Sequence, residues 1–173
     1  IPMPREHGYD VVNAIKAMVD DRVDLFFCMG GNFLSATPDT NVTAEGLRNV
    51  NLTVQVSTKL NRSHLITGKT ALILPCLGRT ELDVQKTGKQ FVTVENSMGV
   101  VHRSTGGLHP ASTALLSEPM IVARMANSSI DQSPIDWMDL AGNYDLIRDL
   151  MSNSLAGFEQ YNTRVREENG FAL

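Results

Sequence analysis

Apolar positions along the first half of the chain recur at helical spacing and then in unbroken runs. Val11, Val12, Ile15, Met18 and Val19 follow Asp10, a good N-cap residue, and predict a helix over residues 10–20. Residues 24–29 (Asp-Leu-Phe-Phe-Cys-Met) form an apolar run that stops at Gly30-Gly31-Asn32. A run of that kind predicts a strand buried on both faces, as in parallel sheets. Residues 43–48 predict a short helix. Residues 52–56, rich in β-branched side chains, predict a second strand, and residues 70–74, closed by Pro75, a third. Strand, helix, strand, crossover, strand is the order of right-handed parallel βαβ units.

The second half changes character. Residues 91–95 and 100–104 flank Asn96-Ser97-Met98-Gly99 and predict an antiparallel hairpin. Residues 117–125 open with Ser117-Glu118, a cap and an acidic first turn, and predict a helix. Tyr144, Ile147, Leu150, Met151, Leu155 and Phe158 predict a longer amphipathic helix. The expected architecture is α/β: a three-layer, Rossmann-like domain with a mostly parallel sheet, a small antiparallel hairpin excursion and a C-terminal helix. It is expected to form one domain over residues 1–173, with a parallel core (1–90), the hairpin (91–116) and a helical C-terminal part (117–173).

Composition narrows the classes. Fifteen Lys and Arg against nineteen Asp and Glu give a net charge of −4, with 42% hydrophobic and 20% charged residues. This excludes a disordered chain. No basic run occurs, which argues against nucleic acid as a partner. No apolar run approaches the ~20 residues of a membrane-spanning helix. The two cysteines, Cys28 and Cys76, lie in apolar runs and read as reduced, buried thiols of a cytoplasmic protein. Four sequons, at Asn41, Asn51, Asn61 and Asn127, follow no secretory signal and read as chance. A start at Ile1-Pro2-Met3-Pro4 reads as a chain processed or cut from something longer.

In open parallel sheets ligands bind beyond the carboxyl ends of the strands, and three such ends can be read here. At the first, Gly30 and Gly31 let backbone amides approach a ligand and Asn32 can donate and accept; a plain tight turn is the alternative. At the second, Ser57 and Thr58 offer hydroxyls to a ribose, or cap a turn. The first loop lacks G-x-G-x-x-G, and no acid lies ~20 residues on, which argues against a nicotinamide dinucleotide. At the third, Cys76 could act as a nucleophile with His64 or His102, or be a packed thiol. Arg79 and Glu81 there form a structural pair or contact a ligand. His7, His64, His102 and His109 show no metal-ligand spacing. Asp20-Asp21 and Glu167-Glu168 read as solvated charge, and Trp137 and the methionines as core or contact residues.

Several stretches resemble a known family. Met29-Gly30-Gly31-Asn32-Phe33-Leu34 followed by Thr37-Pro38-Asp39 resembles the G-x-N-P … P-D loop of molybdopterin-dependent oxidoreductases of the dimethyl sulfoxide reductase superfamily. Val54-Gln55-Val56-Ser57-Thr58 resembles that family's second strand end, and Ala71-Leu72-Ile73-Leu74-Pro75 with Glu81 its A-D-V-V-L-P … E segment. Thr93 to Gly99 is similar to T-x-x-N-x-E-G-R, and Ser117-Glu118 to a segment that opens a helix. Residues 56–64, 74–81 and 162–166 resemble the formate-dehydrogenase-like branch.

The resemblance implies a central domain of a larger enzyme that binds molybdenum or tungsten through two molybdopterin guanine dinucleotides. A 4Fe-4S cluster and the metal-ligating residue would lie elsewhere in the full-length chain, and the partners would be the remaining domains of the polypeptide and a small-molecule substrate. The isolated piece would be catalytically silent, and its exposed domain interface would favour self-association. Carried over by position, Asn32 contacts the dinucleotide, Ser57 and Thr58 hold the guanosine, and Glu118 accepts from the guanine or ribose. Gly30 and Gly31 allow close approach, while Arg79 and Glu81 complete the cofactor-binding set. Phe33 stands where the family has Pro, Thr58 where many members have Asp, and Leu82 where some have a basic residue. The reading from another class is a stand-alone nucleotide-binding or regulatory module without redox chemistry.

Overall fold

The computed structural model describes residues 5–173; the reading of residues 1–4 lies outside the described residues. The chain forms two compact units, divided between Pro75 and Cys76. The elements are mixed α/β, with a parallel sheet in the first unit and small antiparallel sheets among helices in the second.

The first unit opens with α1 (Val11–Val19). The Asp10 carboxylate accepts from the Asn13 amide at 2.8 Å, which satisfies one of the unpaired first-turn amides. β1 (Leu25–Met29), β2 (Leu52–Ser57) and β3 (Thr70–Pro75) form a parallel sheet in the order β1-β2-β3. The register runs from Leu25 opposite Leu52 and Leu52 opposite Thr70. Two helices join β1 to β2: α2 (Phe33–Ala36) and α3 (Thr40–Asn49), the latter capped by Asp39 through the Asn41 and Val42 amides. A 3-10 turn at Arg62–Leu65 lies between β2 and β3. α1 and α3 pack closely because Gly46 has no Cβ; one there would lie 2.9 Å from the Met18 Cβ. Met18, Leu34, Leu47 and Val50 form the core of this unit, with Phe26 of β1 packed against them.

Two expectations fail here for one reason. β1 is only partly buried rather than covered on both faces, with Leu25 54% exposed, because β1 is an edge strand. Cys28 is correspondingly half-buried. Sheet position, which no local run encodes, decides burial. The helix expected over 43–48 is longer, because Asp39 captures amides upstream of it.

In the second unit, β4 (Val84–Gln85) and β5 (Gly88–Lys89) form a short antiparallel pair. β6 (Val92–Glu95) and β7 (Val100–Ser104) are the expected hairpin, with Val92 opposite Ser104. β8 (Phe171–Ala172) adds to β7, so the C-terminal part ends as a strand and not as a helix. α4 (Glu118–Ser129), α5 (Trp137–Gly142), α6 (Tyr144–Ser154) and α7 (Tyr161–Arg164) supply the rest. α6 stops before Leu155 and Phe158, which the apolar spacing had included. Phe158 packs instead against the core of Val101, Tyr161, Val165 and Phe171. Trp137 packs against a second cluster of Met120, Ala123 and Ala141. Met98, by contrast, is 82% exposed at the hairpin tip, so not every methionine is interior.

Candidate functional site

The first unit gathers five of the expected residues beyond the carboxyl ends of β1 and β2. Gly30 and Gly31 both adopt left-handed backbone, with φ of 68° and 72°, which non-glycine residues seldom adopt. A Cβ at Gly31 would meet nothing within 4 Å, so the peptide faces open space. The turn is held from behind. Asn61 Nδ2 donates to the Gly31 carbonyl at 2.8 Å. Ser63 Oγ donates to Asn32 Oδ1 at 2.8 Å and accepts from the Leu34 amide at 2.9 Å. Fixing the oxygen of Asn32 leaves its amide nitrogen to donate outward.

Asn61 is itself fixed. Its side chain accepts from the Ser63 amide, and its own amide donates to His64 Nδ1 at 2.9 Å, a reciprocal capping arrangement. That bond places the proton of a neutral His64 on Nε2, which is buried without a partner among the described residues. Gln55, 4% exposed on β2, donates to the Ser63 carbonyl at 3.0 Å. Ser57 Oγ donates to the Lys59 carbonyl at 2.8 Å, so it both shapes its turn and can still accept. Thr58 is exposed.

The second unit gathers the other three. Arg79, Glu81 and Glu118 line one cavity of about 290 Å³ with Phe91, Thr93 and Ser104, near the lower end of the ~300–1,000 Å³ usual for ligand sites. Arg79 and Glu81 do not pair with each other. The Glu81 carboxylate accepts instead from the Gly78 amide at 2.6 Å and the Ala111 amide at 3.0 Å. Those two donors hold its carboxyl below the usual carboxylate range. Glu81 therefore shapes the wall. Arg79 and Glu118 make no side-chain hydrogen bond or ion pair among the described residues, which leaves one cation and one anion to meet a ligand.

A network that no local motif announces positions Glu118. Ser117 caps α4 by accepting from the Met120 amide at 3.3 Å. Its hydroxyl shares a 2.6 Å hydrogen bond with Tyr144, and the Tyr144 hydroxyl donates to Asp83 at 2.5 Å. Burial, and then the Asp83 carboxylate, push the Tyr144 hydroxyl well above its ordinary value. Gln90 accepts from the Tyr144 amide at 3.0 Å. These contacts span residues 83 to 144, and only the polar character of Ser117 and Tyr144 beside apolar neighbours hints at them.

Cys76 does not make a nucleophile. It is 3% exposed, and its thiol is pushed up by burial and then by Glu118 and Glu81, the opposite of an activated thiolate. Among the described residues no three His, Cys, Asp or Glu side chains are placed to hold a metal ion. Nor, among the described residues, is any helix long and apolar enough to cross a membrane.

No protein-family model matches the chain. Over its whole length it is 52% identical, across 174 residues, to proteins of Mycobacterium tuberculosis and Mycobacterium bovis that carry the name uncharacterized oxidoreductase. It is 43% identical over 170 residues, 98% of its length, to the protein YdeP of Escherichia coli. The chain spans about a fifth of these relatives, 22% in each case.

Proposed function

We propose that the chain is the nucleotide-cofactor-binding part of a larger oxidoreductase, of the molybdopterin-dependent, formate-dehydrogenase-like type. The oxidoreductase reading draws on the names of the mycobacterial relatives. The cofactor reading draws on the resemblance of the loops. The observation that carries it is the Gly30-Gly31 turn: left-handed at both residues, at a parallel strand's carboxyl end, and open where a Cβ on Gly31 would stand.

The residues present fit such a group. In the first unit, the Gly30 and Gly31 backbone would approach the dinucleotide, the Asn32 amide nitrogen would donate to it, and Ser57 and Thr58 would hold the ribose. In the second unit, the cavity has room for one ring system rather than a whole dinucleotide. Taken as a site of its own, that cavity would let Glu118 accept the paired N–H protons of a guanine, which adenine cannot offer in that pattern, and Arg79 meet an anion. Bound, the molybdenum or tungsten group would supply two-electron redox chemistry. The chain's own task is binding and orientation.

The test is a titration with GDP, read by amide NMR, with NAD as control. The expected result under GDP alone is saturable shifts at Asn32, Ser57 and Thr58 in the first unit and, separately, at Glu118 in the second, with those of the second unit weakened at least tenfold by Glu118→Gln. Shifts under NAD alone, or none with either nucleotide, overturn the assignment. A stand-alone nucleotide module gives the same shifts, and a coding sequence that stops on both sides of these residues would favour it.

A further inference from the structure

We propose that the free edge of β1 is a pairing site, filled by a parallel strand from polypeptide outside these 173 residues, so that β1 is an interior strand of the complete sheet. The idea is independent of which cofactor the crevice takes.

Among the described residues β1 pairs with β2 alone. The ladder fixes which groups that leaves unpaired. Leu52 donates its amide to the Asp24 carbonyl at 2.9 Å, and Gly30 donates to the Val56 carbonyl at 2.8 Å. In a parallel ladder alternate residues point both backbone groups to the same side. The even-numbered residues of this strand therefore face β2, and the N–H and C=O groups of Leu25, Phe27 and Met29 face outward.

Edge strands in stable proteins are blunted by charge, proline, a bulge or extreme shortness. β1 carries none of these: it is Leu-Phe-Phe-Cys-Met, five apolar residues in unbroken register with β2. β2, in the middle of the sheet, is the more polar strand, with Thr53 and Gln55 both buried. The other edge, β3, ends on a proline and follows Lys69. β1 thus has the composition of a sheet centre at the position of a sheet edge. Polypeptide to cover it exists in the relatives, where roughly four-fifths of the length lies outside the matched segment.

The consequence bears on the crevice. A parallel strand added beside β1 would make β1 the point where the strand order reverses, and the carboxyl end of such a strand is where open α/β sheets bind ligands. Gly30, Gly31 and Asn32 sit at that end, so one wall of the crevice would come from the added strand.

The experiment is residue-resolved amide hydrogen exchange in the complete polypeptide that carries these residues. The Leu25, Phe27 and Met29 amides are expected to be as protected as those of Phe26 and Cys28, within about tenfold. Leu25→Pro removes one outward N–H at an exposed first strand position, where proline is tolerated. It should lower protection of Phe27 and Met29 at least tenfold and leave Phe26 and Cys28 unchanged. Fast exchange at Leu25, Phe27 and Met29 beside protected Phe26 and Cys28 would overturn the proposal. Protection that disappears on dilution would make the occupant a second copy, which overturns it equally. Exchange of the β1 amides is read without nucleotide and GDP binding by nucleotide-induced shifts, so this failure and failure of the cofactor reading remain distinguishable.

Discussion

Removing the Tyr144 hydroxyl tests whether the buried network in the second unit holds the start of α4, and with it Glu118. Tyr144 is 3% exposed, and its hydroxyl bridges Asp83 at 2.5 Å and Ser117 at 2.6 Å. Tyr144→Phe keeps the ring and deletes both bonds. A hydrogen bond to a charged group is worth ~1.5–3 kcal/mol, and Asp83 keeps only its contact with Gln85, so the expected loss is about 2–3 kcal/mol. In a chain of this size ~1 kcal/mol moves the unfolding midpoint by ~2–4 °C, which gives a fall of about 5–10 °C. Trp137 is the chain's one tryptophan and packs in the same unit, so its fluorescence on heating reads the transition.

Ser117→Ala alone should cost about 1 kcal/mol as a lost cap. The double variant should lose less than the sum, because both substitutions break the same bond. The alkaline limb supplies a sign. The hydroxyl titrates higher in the folded chain than in the unfolded one, so its stabilisation is complete below pH ~10 and falls as pH rises beyond that. Tyr144→Phe should flatten that limb. A midpoint within 1 °C of the parent, or strict additivity with Ser117→Ala, would refute the network as the anchor of α4.

Two further outcomes follow from packing and charge. A Cβ at Gly106 would lie 1.8 Å from the Glu81 carbonyl oxygen, so Gly106→Ala must push the cavity wall apart; a loss of about 1–3 kcal/mol is expected on chemical denaturation, together with weaker GDP binding. Asp145 feels burial, which raises its pKa, but its pairing with Arg166 and Arg148 outweighs this and holds the carboxyl below the usual range; Asp145→Asn should cost about 1–2 kcal/mol at pH 7, less than the ~3–5 of a severed buried pair because Asp145 is 39% exposed, and the difference from the parent should vanish as pH falls below ~4 in acid titrations followed by circular dichroism.

Local signals placed most elements well. Asp10 and Ser117 stand at N-caps, the three parallel strands lie where the apolar runs put them, and the 91–104 hairpin forms around Asn96 to Gly99. What failed was non-local. Burial of β1 depends on its neighbours in the sheet, and β8 forms only because β7 is there to receive it. The site divides in the same way. Gly30, Gly31 and Asn32 were legible because glycine pairs mark backbone that other residues avoid. Asn61 and Ser63, which hold that turn, carry no comparable local mark, since their partners lie thirty residues away. Arg79 and Glu81 looked like a pair by spacing, but two backbone amides take the carboxylate first.

The chain of contacts from Gln55 through Ser63 to Asn32, with Asn61 on Gly31, makes the shape of the glycine turn a property of the sheet itself. Loosening the turn breaks the bonds from Asn61 and Ser63, and Ser63 is itself held by a buried glutamine in the central strand. The entropy of arranging the loop is therefore lost when the sheet folds and not when a ligand arrives. Such a crevice is preorganised. Ligands should associate at a rate set by diffusion and orientation, with no slow closing step, and differences in affinity should appear in how fast they leave.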